Sequence, residues 1–245
     1  MNILFLDSAT EACTAGLWQN GEIFSHFEIA PRAHTKLLLP MVELLLLEAG
    51  LDFTQLDLIA FGRGPGSFTG VRIATACAQG MAMGLDIPVL GISSLAILAQ
   101  AQVHELGQAA LDFAHSNSAP AVIHAALDAR MGEVYHAAFT VTTHSVVTLM
   151  GTERVVPPAV LLAEFALPTI HGHTIATGTG FGRYPELVRA KPWRSVLSDA
   201  LPDARFALEL AAAAPRSDWQ NPADAAPVYL RDNVAQVKVD RTPIT

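Results

Sequence analysis

The strongest constraint on the fold is the order in which strand and helix patterns follow one another. Short apolar runs typical of buried strands alternate with longer helical patterns, and Asn20-Gly21 joins two of the strands through a turn of type I′. In the first half, strands are predicted at 3–7, 14–19, 22–29, 58–62 and 88–92, and helices at 36–49, 68–84 and 94–105. This β-β-β-α-β-α-β-α order predicts an α/β fold.

The same order of elements begins again in the second half of the chain. Strands are predicted at 121–127, 133–141, 146–156 and 174–177, and helices at 158–165 and 204–214. The repeat concerns the order of elements and not the sequence, since no short-period repeat is present. We therefore expect two α/β domains, residues 1–107 and 108–245, with the boundary inside 108–120.

Composition and charge exclude several classes of protein. With 245 residues, 51% of them hydrophobic and 16% charged, the chain can form a sizeable core and is neither disordered nor fibrous. Its formal net charge of -8 makes tight binding of bare nucleic acid by this chain alone unexpected. The two cysteines, Cys13 and Cys77, exclude a disulfide scaffold and a Cys-rich zinc site.

The sequence shows no targeting signal and no membrane segment. The N-terminal apolar run has no basic residue before it and is interrupted by Asp7. The densest apolar stretch, residues 37–47, is about half of the ~20 residues that a membrane span requires. We therefore expect a soluble, cytoplasmic protein that does not bind membranes.

A glycine-rich segment, GRGPGSFTGVR at 62–72, follows a predicted strand and opens a predicted helix. Free N–H groups at a helix start, aided by the helix dipole, are suited to bind an anion. The spacing matches neither the dinucleotide-binding fingerprint nor a Walker loop. Two interpretations stay open: an anion or nucleotide site that includes Gly64, Gly66 and Ser67, or a tight turn that lets the helix pack closely on the sheet.

The segment DSAT at 7–10 ends the first strand, at a place where a β-hairpin can wrap a phosphate. Asp7 and Thr10 are therefore also candidates for an anion or nucleotide turn. Ala9 brings a Cβ atom where such a turn favours glycine, so a structural role for Asp7 at the strand end is the alternative. The segment DARMGE at 128–133 occupies the corresponding turn of the second half.

No pattern indicates a metal centre or a catalytic nucleophile. Of the nine histidines only His171 and His173 are close in sequence, and neither an HxxxH nor an HExxH pair occurs. The GxSxG elbow is missing around Ser67, whose expected role is a helix N-cap. The sequence therefore assigns no catalytic residue and no metal ligand.

The helix predicted at 36–49 has more apolar surface than one core needs. Its apolar side chains cover roughly 220° of the circumference, whereas a helix on one core needs a stripe of little more than ~100°. The next helix offers small side chains that allow a close helix contact. We expect a protein interface that includes Leu37, Leu38, Met41, Val42, Leu45, Leu46, Ala74 and Ala78; the alternative is that both helices are buried within the chain.

Several motifs, in order from residue 3 to residue 232, closely resemble those of the TsaB (YeaZ) family. The quoted segments are ILFLDSATEAC at 3–13, HTKLLLP at 34–40, GRGPGSFTGVR at 62–72, ISSL at 92–95, DARMGEVY at 128–135 and PVYLRD at 227–232. The glycine-rich run and the closing PVYLR are highly specific to that family.

The resemblance implies an actin-like (ASKHA) fold of two RNase-H-like domains, the first with a mixed five-stranded sheet and helices. It implies a role in making threonylcarbamoyladenosine in tRNAs that read codons beginning with A. In that family TsaB is the non-catalytic partner of the transferase TsaD, and the ATPase TsaE completes the complex. The implied expectations are a heterodimer with TsaD, a homodimer when alone, contact with tRNA only through the complex, ATP used by the complex and no tightly bound cofactor.

Two enzymatic alternatives remain open. One is a glycoprotease-type metallopeptidase, against which stands the missing pair of histidine ligands. The other is a nucleotide-dependent kinase or ATPase of the same fold, which needs intact phosphate hairpins. The Ala9 turn argues against that activity.

Overall fold

The structure, a computed structural model, describes residues 1–106, 121–141, 145–167 and 174–231. The predicted domain boundary within 108–120, the histidine pair His171 and His173, and the end of the PVYLRD motif at Asp232 lie outside these ranges. None of the helices in the described ranges is long and apolar enough to cross a lipid bilayer.

The first half forms a mixed five-stranded sheet, as expected. Its strands are β1 (Asn2–Asp7), β2 (Ala12–Gln19), β3 (Glu22–Ile29), β4 (Leu58–Gly64) and β5 (Val89–Ser93), in the order β3-β2-β1-β4-β5. Strand β2 runs antiparallel to its neighbours β1 and β3, and β4 and β5 run parallel to β1. Asn20 and Gly21 have φ angles of 50° and 103°, the positive values that a type I′ turn requires.

Three helices follow the strands of the first half. They are α1 (His34–Ala49), α2 (Phe68–Leu85) and α3 (Ser94–Leu106), each within a few residues of its predicted position. Gly50 ends α1 in a left-handed conformation, with φ of 64°, as a C-cap glycine does. Helices α1 and α2 pack beside each other over one face of the sheet.

The second half repeats the topology of the first. Its strands are β6 (Val122–Arg130), β7 (Glu133–Val141), β8 (Val147–Val156), β9 (Thr174–Thr177) and β10 (Ser195–Leu197), in the order β10-β9-β6-β7-β8. Strand β7 runs antiparallel to its neighbours β6 and β8, and β9 and β10 run parallel to β6. The predicted duplication of element order is therefore confirmed.

The described part of the second half contains four further helices. They are α4 (Pro158–Phe165), α5 (Thr179–Arg183), α6 (Pro185–Arg189) and α7 (Ala204–Ala213). Two of them, α4 and α7, were predicted. Helices α5 and α6 and strand β10 were not predicted, because a helix of five residues or a strand of three does not establish a period.

The packing does not follow the order of the chain, because each half contributes a helix to the other half's core. Helix α3 shares a buried cluster with the second sheet, where Leu95 and Leu98 pack with Ile123 and Phe139. Helix α7 shares a buried cluster with the first sheet, which one residue of α3 also joins; its members are Ile3, Phe5, Leu58, Ala60, Leu90, Ile92, Ile97, Ala204, Ala207, Leu208 and Ala211.

Residues after α7 also remain on the first half. Val89 and Gln220 exchange two backbone hydrogen bonds, of 3.0 and 2.8 Å, at the edge strand β5. The Val228 N–H then donates to the carbonyl of Arg63 at 2.8 Å. The C-terminal part of the predicted second domain therefore lies against the first sheet, whereas the division into 1–107 and 108–245 stays a prediction.

Candidate functional site

The turn between β1 and β2 lies directly against the N-terminus of α2. The N–H of Ser67 donates to the Ala9 carbonyl at 2.6 Å, and the Ser8 hydroxyl donates to the Gly70 carbonyl at 2.8 Å. A Cβ atom added at Gly66 would lie 2.3 Å from the Ala9 oxygen, and one at Gly70 would lie 1.9 Å from the Ser8 oxygen. These glycines therefore allow a close approach of backbone to backbone, as the tight-turn interpretation predicts.

The start of α2 is capped by its own chain. The Ser67 hydroxyl accepts a hydrogen bond from the Gly70 N–H at 3.4 Å, which confirms the predicted N-cap. Because the Ala9 carbonyl already takes the Ser67 N–H, that donor is not available to a phosphate. Gly64 has a φ of 92°, so this position requires a glycine for the turn itself.

Asp7 is buried at the end of β1 and holds the turn in place. Its Oδ1 accepts a hydrogen bond from the Ala9 N–H at 2.6 Å, and a Cβ atom at Gly62 would lie 2.3 Å from its Cγ. Burial raises the pKa of Asp7 to about 6, although backbone hydrogen bonds from Ala9 and Ser8 favour the charged form. Asp7 does not line the cleft described next, so the structural alternative fits it better than contact with a ligand.

A large cleft opens beside this turn, between the two halves. It has a volume of about 1130 Å³ and is lined by the β1–β2 turn, the start of α2, the β6–β7 turn, helix α5 and residues 228–231. Of the five predicted anion-site residues, Thr10, Gly66 and Ser67 line this cleft, whereas Asp7 and Gly64 do not. The predicted turn of the second half, 128–133, contributes Asp128, Ala129, Arg130 and Met131.

Two of the arginines that line the cleft form ion pairs and hydrogen bonds with other residues around it. Arg130 donates to Glu11 at 2.7 Å and to Asp128 at 3.1 Å, and so joins the turns of the two halves. Arg231 pairs with Glu133 and donates to the Ala129 carbonyl at 3.0 Å. These two guanidinium groups are occupied by contacts within the chain.

Three further arginines line the same cleft: Arg32, Arg72 and Arg183. In the part of the chain that the structure describes, no carboxylate pairs with any of them. The guanidinium carbon of Arg72 lies 3.4 Å from the ring centre of Phe68 and 5.3 Å from that of Tyr229. The lining contains five arginines and three carboxylates, Asp199 among them, so the cleft is positively charged on balance although the whole chain is acidic.

Phe68, Arg72 and Tyr229 occur in the quoted motifs, but no local pattern in the sequence assigns them to a site. Their ring centres, Phe68 to Tyr229, are 5.9 Å apart, and the two side chains are 52% and 48% exposed. The available signal was that both aromatic residues lie in the two most specific motifs, although the motifs are far apart in the chain.

A metal site, a reactive thiol and a titrating histidine have less support in the structure than the cleft. Within the described ranges, no group of three or more His, Cys, Asp or Glu residues is placed to hold a metal ion. Burial raises the pKa of the Cys13 thiol to about 11, with smaller contributions from nearby acidic groups and Cys77, so this thiol stays protonated at neutral pH. Burial, together with the charge of Arg154, lowers the pKa of His136 to about 3, and its ring contacts that of His124 at 3.1 Å.

The residues predicted for the partner interface are mostly core residues. Leu37 is partly buried against the first core, and the others are buried within the chain: Leu38, Met41, Val42, Leu45, Leu46, Ala74 and Ala78. A side chain covered by its own chain offers little surface to a partner, so these seven fit the alternative of burial within the chain better, and the interface at these positions stays a prediction. The apolar arc of α1 was predicted from its period, but the period does not tell which part of the arc faces the sheet.

The surplus of apolar surface on α1 is confirmed at other positions. Leu39, Leu44 and Leu47 are 46%, 50% and 77% exposed. On the neighbouring α2, Met83 is 61% exposed, and a Cβ atom at Gly80 would meet nothing within 4 Å. We call the set Leu39, Leu44, Leu47, Gly80 and Met83 the α1–α2 surface.

Comparisons with known proteins agree with this architecture. A family model described as TsaD, tRNA N6-adenosine threonylcarbamoyltransferase, matches residues 26–176. The tRNA threonylcarbamoyladenosine biosynthesis protein TsaB of Escherichia coli (strain K12) is 38% identical over 243 residues, which cover 98% of each chain. The Haemophilus influenzae protein of the same name is 37% identical over 245 residues, with 98% of this chain and 97% of that one covered.

Solved structures give the same result. The structure titled YeaZ from Pseudomonas aeruginosa superposes with a TM-score of 0.79 at 40% identity, and the match covers 94% of this chain and 99% of that chain. A tRNA N6-adenosine threonylcarbamoyltransferase of Nitratidesulfovibrio vulgaris (strain DP4) is 46% identical, but only over 68 residues, which are 28% of this chain and 19% of that one. The similarity to this transferase sequence is therefore limited to one segment, whereas the similarity to the two TsaB sequences covers nearly the whole chain.

Proposed function

Because the chain belongs to the TsaB (YeaZ) family, which shares the TsaD-type domain, we propose that it is a non-catalytic subunit required for threonylcarbamoyladenosine modification of tRNA. The tRNAs concerned are those that read codons beginning with A. In this role the chain binds and activates a TsaD-type transferase in the cytoplasm, and a TsaE-type ATPase supplies the step that uses ATP.

The observation that carries the non-catalytic part of this proposal is the closed turn at the start of α2. A kinase or ATPase of this fold needs open backbone donors for the nucleotide phosphates. In this chain the Ser67 N–H donates a hydrogen bond to the Ala9 carbonyl, and the Ser8 hydroxyl donates one to the Gly70 carbonyl. The geometry therefore favours a supporting subunit over an ATP-consuming enzyme.

The α1–α2 surface supports the part of the proposal that concerns a partner. Leu44 and Leu47 lie on the outer side of α1 and are half or more exposed. Exposed apolar groups on two neighbouring helices are the surface that a second helical pair can cover. We propose that a TsaD-type subunit covers it in the heterodimer, and that a second copy of this chain covers it when the chain is alone.

The test is a reconstituted tRNA modification reaction with each subunit omitted in turn. We expect threonylcarbamoyladenosine, measured by mass spectrometry of digested tRNA, to form with all subunits and to fall to background when this chain is left out. The pure chain should show no ATP turnover above background. Full modification without the chain, or ATP hydrolysis by the chain that Asp7→Ala abolishes, would contradict the proposal.

A further inference from the structure

We propose that the cleft between the two halves binds a single-stranded segment of RNA, with phosphates at Arg32, Arg72 and Arg183 and a base stacked at Phe68 and Tyr229. This inference rests on the proposed function, since it assigns a contact for the RNA to this chain itself. It differs from the sequence-based expectation that RNA is reached only through the complex.

The charges of the cleft favour an anionic ligand. Arg130 and Arg231 are paired with carboxylates, whereas Arg32, Arg72 and Arg183 have no carboxylate partner among the described residues. The lining also contains the carboxylate of Asp199, so the three guanidinium groups leave the cleft with net positive charge in a chain of net charge -8. Arginine is suited to phosphate because its planar N–H donors match two phosphate oxygens at once.

The aromatic residues of the cleft favour a ligand that also carries planar rings. Phe68 and Tyr229 are about half exposed beside the guanidinium of Arg72. Bases of single-stranded nucleic acids stack on exposed aromatic rings and on arginine planes, without a need for sequence-specific hydrogen bonds. An acidic peptide would satisfy the charges alone, so a nucleic acid fits the combination better.

The volume of the cleft and the closed β1–β2 turn favour a segment of RNA over a single nucleotide bound at the start of α2. The cleft has about 1130 Å³, more than the ~300–1,000 Å³ of ordinary small-molecule pockets. The turn at Ala9 already occupies the Ser67 N–H, so the phosphate contacts must come from the arginine side chains instead. The negative charge of the remaining surface keeps binding by the isolated chain weak and sensitive to salt.

The experiment is fluorescence anisotropy of the full chain with a labelled anticodon stem–loop RNA, titrated at several salt concentrations. We expect Tyr229→Ala to raise the Kd roughly fivefold or more, because it removes a stacking face, and Tyr229→Phe to leave the Kd unchanged. Arg72→Ala should also raise the Kd and lower the slope of log K against log salt by about 0.7, the loss of one phosphate contact to a single strand.

The matched control is Arg189→Ala, which removes an exposed arginine that does not line the cleft. It should leave both the Kd and the salt slope as in the wild type. The inference is overturned if Tyr229→Ala and Arg72→Ala give the same Kd and salt slope as the control Arg189→Ala. It is overturned as well if the wild type does not bind the RNA at low salt, or if AMP binds while the RNA does not. It is also overturned if the cleft variants weaken binding of the transferase subunit and not of the RNA, since the cleft is then a protein contact.

The proposed function can fail independently of this inference. Modification that proceeds without the chain refutes the function and leaves the anisotropy result as it stands. Wild-type anisotropy in the cleft variants refutes the RNA contact and leaves the requirement for the chain intact.

Discussion

At the scale of single residues, the buried carboxyl of Asp7 lowers the stability of the fold at neutral pH. Burial raises its pKa from 3.8 to about 6, so the folded state binds a proton more tightly than the unfolded state between these values. As the pH falls from 7 to 5, protonation of Asp7 therefore stabilises the fold. Above pH 6 the charged form is buried, and this stabilisation is absent.

We predict that Asp7→Asn removes this contribution. The free energy of unfolding of the wild type, minus that of Asp7→Asn, should rise by about 1 kcal/mol between pH 7 and pH 5. Urea denaturation of both proteins at each pH measures the difference. His136 acts in the opposite direction, because its lowered pKa destabilises the fold as the pH falls below 6.5, but this effect is common to both proteins and cancels. Parallel pH profiles for the two proteins would contradict the prediction.

The candidate site was predictable from sequence only in part. Thr10, Gly66 and Ser67 line the cleft because glycine-rich strand-to-helix turns lie at the edge of a sheet, which the local pattern indicates. Whether the turn is open depends on contacts between Ser8 and Gly70, which are 62 positions apart in the chain. Such a contact has no signature in local spacing, so the sequence alone leaves both interpretations of the segment open.

At the scale of elements, helix α1 shows the limit of an amphipathic pattern. Its predicted end at residue 49, before Gly50, is confirmed, whereas the helix begins at His34, two residues before the predicted start. The pattern also predicts too much apolar surface, but neighbouring leucines of this helix differ completely in exposure: Leu45 is buried, whereas Leu44 and Leu47 are exposed. The difference arises because the sheet covers only one part of the arc.

This difference supplies a matched pair of substitutions. We predict that Leu47→Glu leaves the fold stable, because the side chain is 77% exposed, but weakens binding of the TsaD-type subunit and of a second copy. Leu45→Glu should instead destabilise the fold by about 3 kcal/mol or more, because it places an unpaired carboxyl in the core. Thermal melts, gel filtration and binding to the transferase subunit measure the three effects. Wild-type partner binding by a folded Leu47→Glu protein would place the interface elsewhere.

At the scale of the whole molecule, topology and packing divide the chain differently. The repeated order of elements, visible in the sequence, produces two sheets of the same topology. The exchange of helices was not visible, since a period shows that α3 and α7 have buried faces but not which sheet they cover. The close packing of α7 on the first sheet is evident at Gly16 in β2. A Cβ atom added there would lie 2.8 Å from Leu208 and 2.9 Å from Ala204, so α7 lies close to β2.

The exchange predicts that residues 1–107 do not fold by themselves. Without α7, the sheet face that contains Ile3, Phe5, Leu58 and Leu90 keeps only the contact with Ile97 of α3 and is largely exposed to water. Each such side chain contributes about 1.5 to 3 kcal/mol when buried, and their sum is comparable to the ~5–15 kcal/mol by which a domain is stable. The fragment 1–107 should therefore lack a cooperative thermal transition by circular dichroism.

The control is the same fragment joined by a flexible linker to residues 202–221, which restore α7 and the backbone pairing of Gln220 with Val89. This fusion should regain cooperative unfolding, because the returned helix covers the exposed face of the first sheet. A cooperative melt of 1–107 alone would contradict the argument, since the first sheet would then be stable without the second half. If the fusion also fails to fold, the contacts of α3 with the second sheet are needed as well, and the two halves form one folding unit.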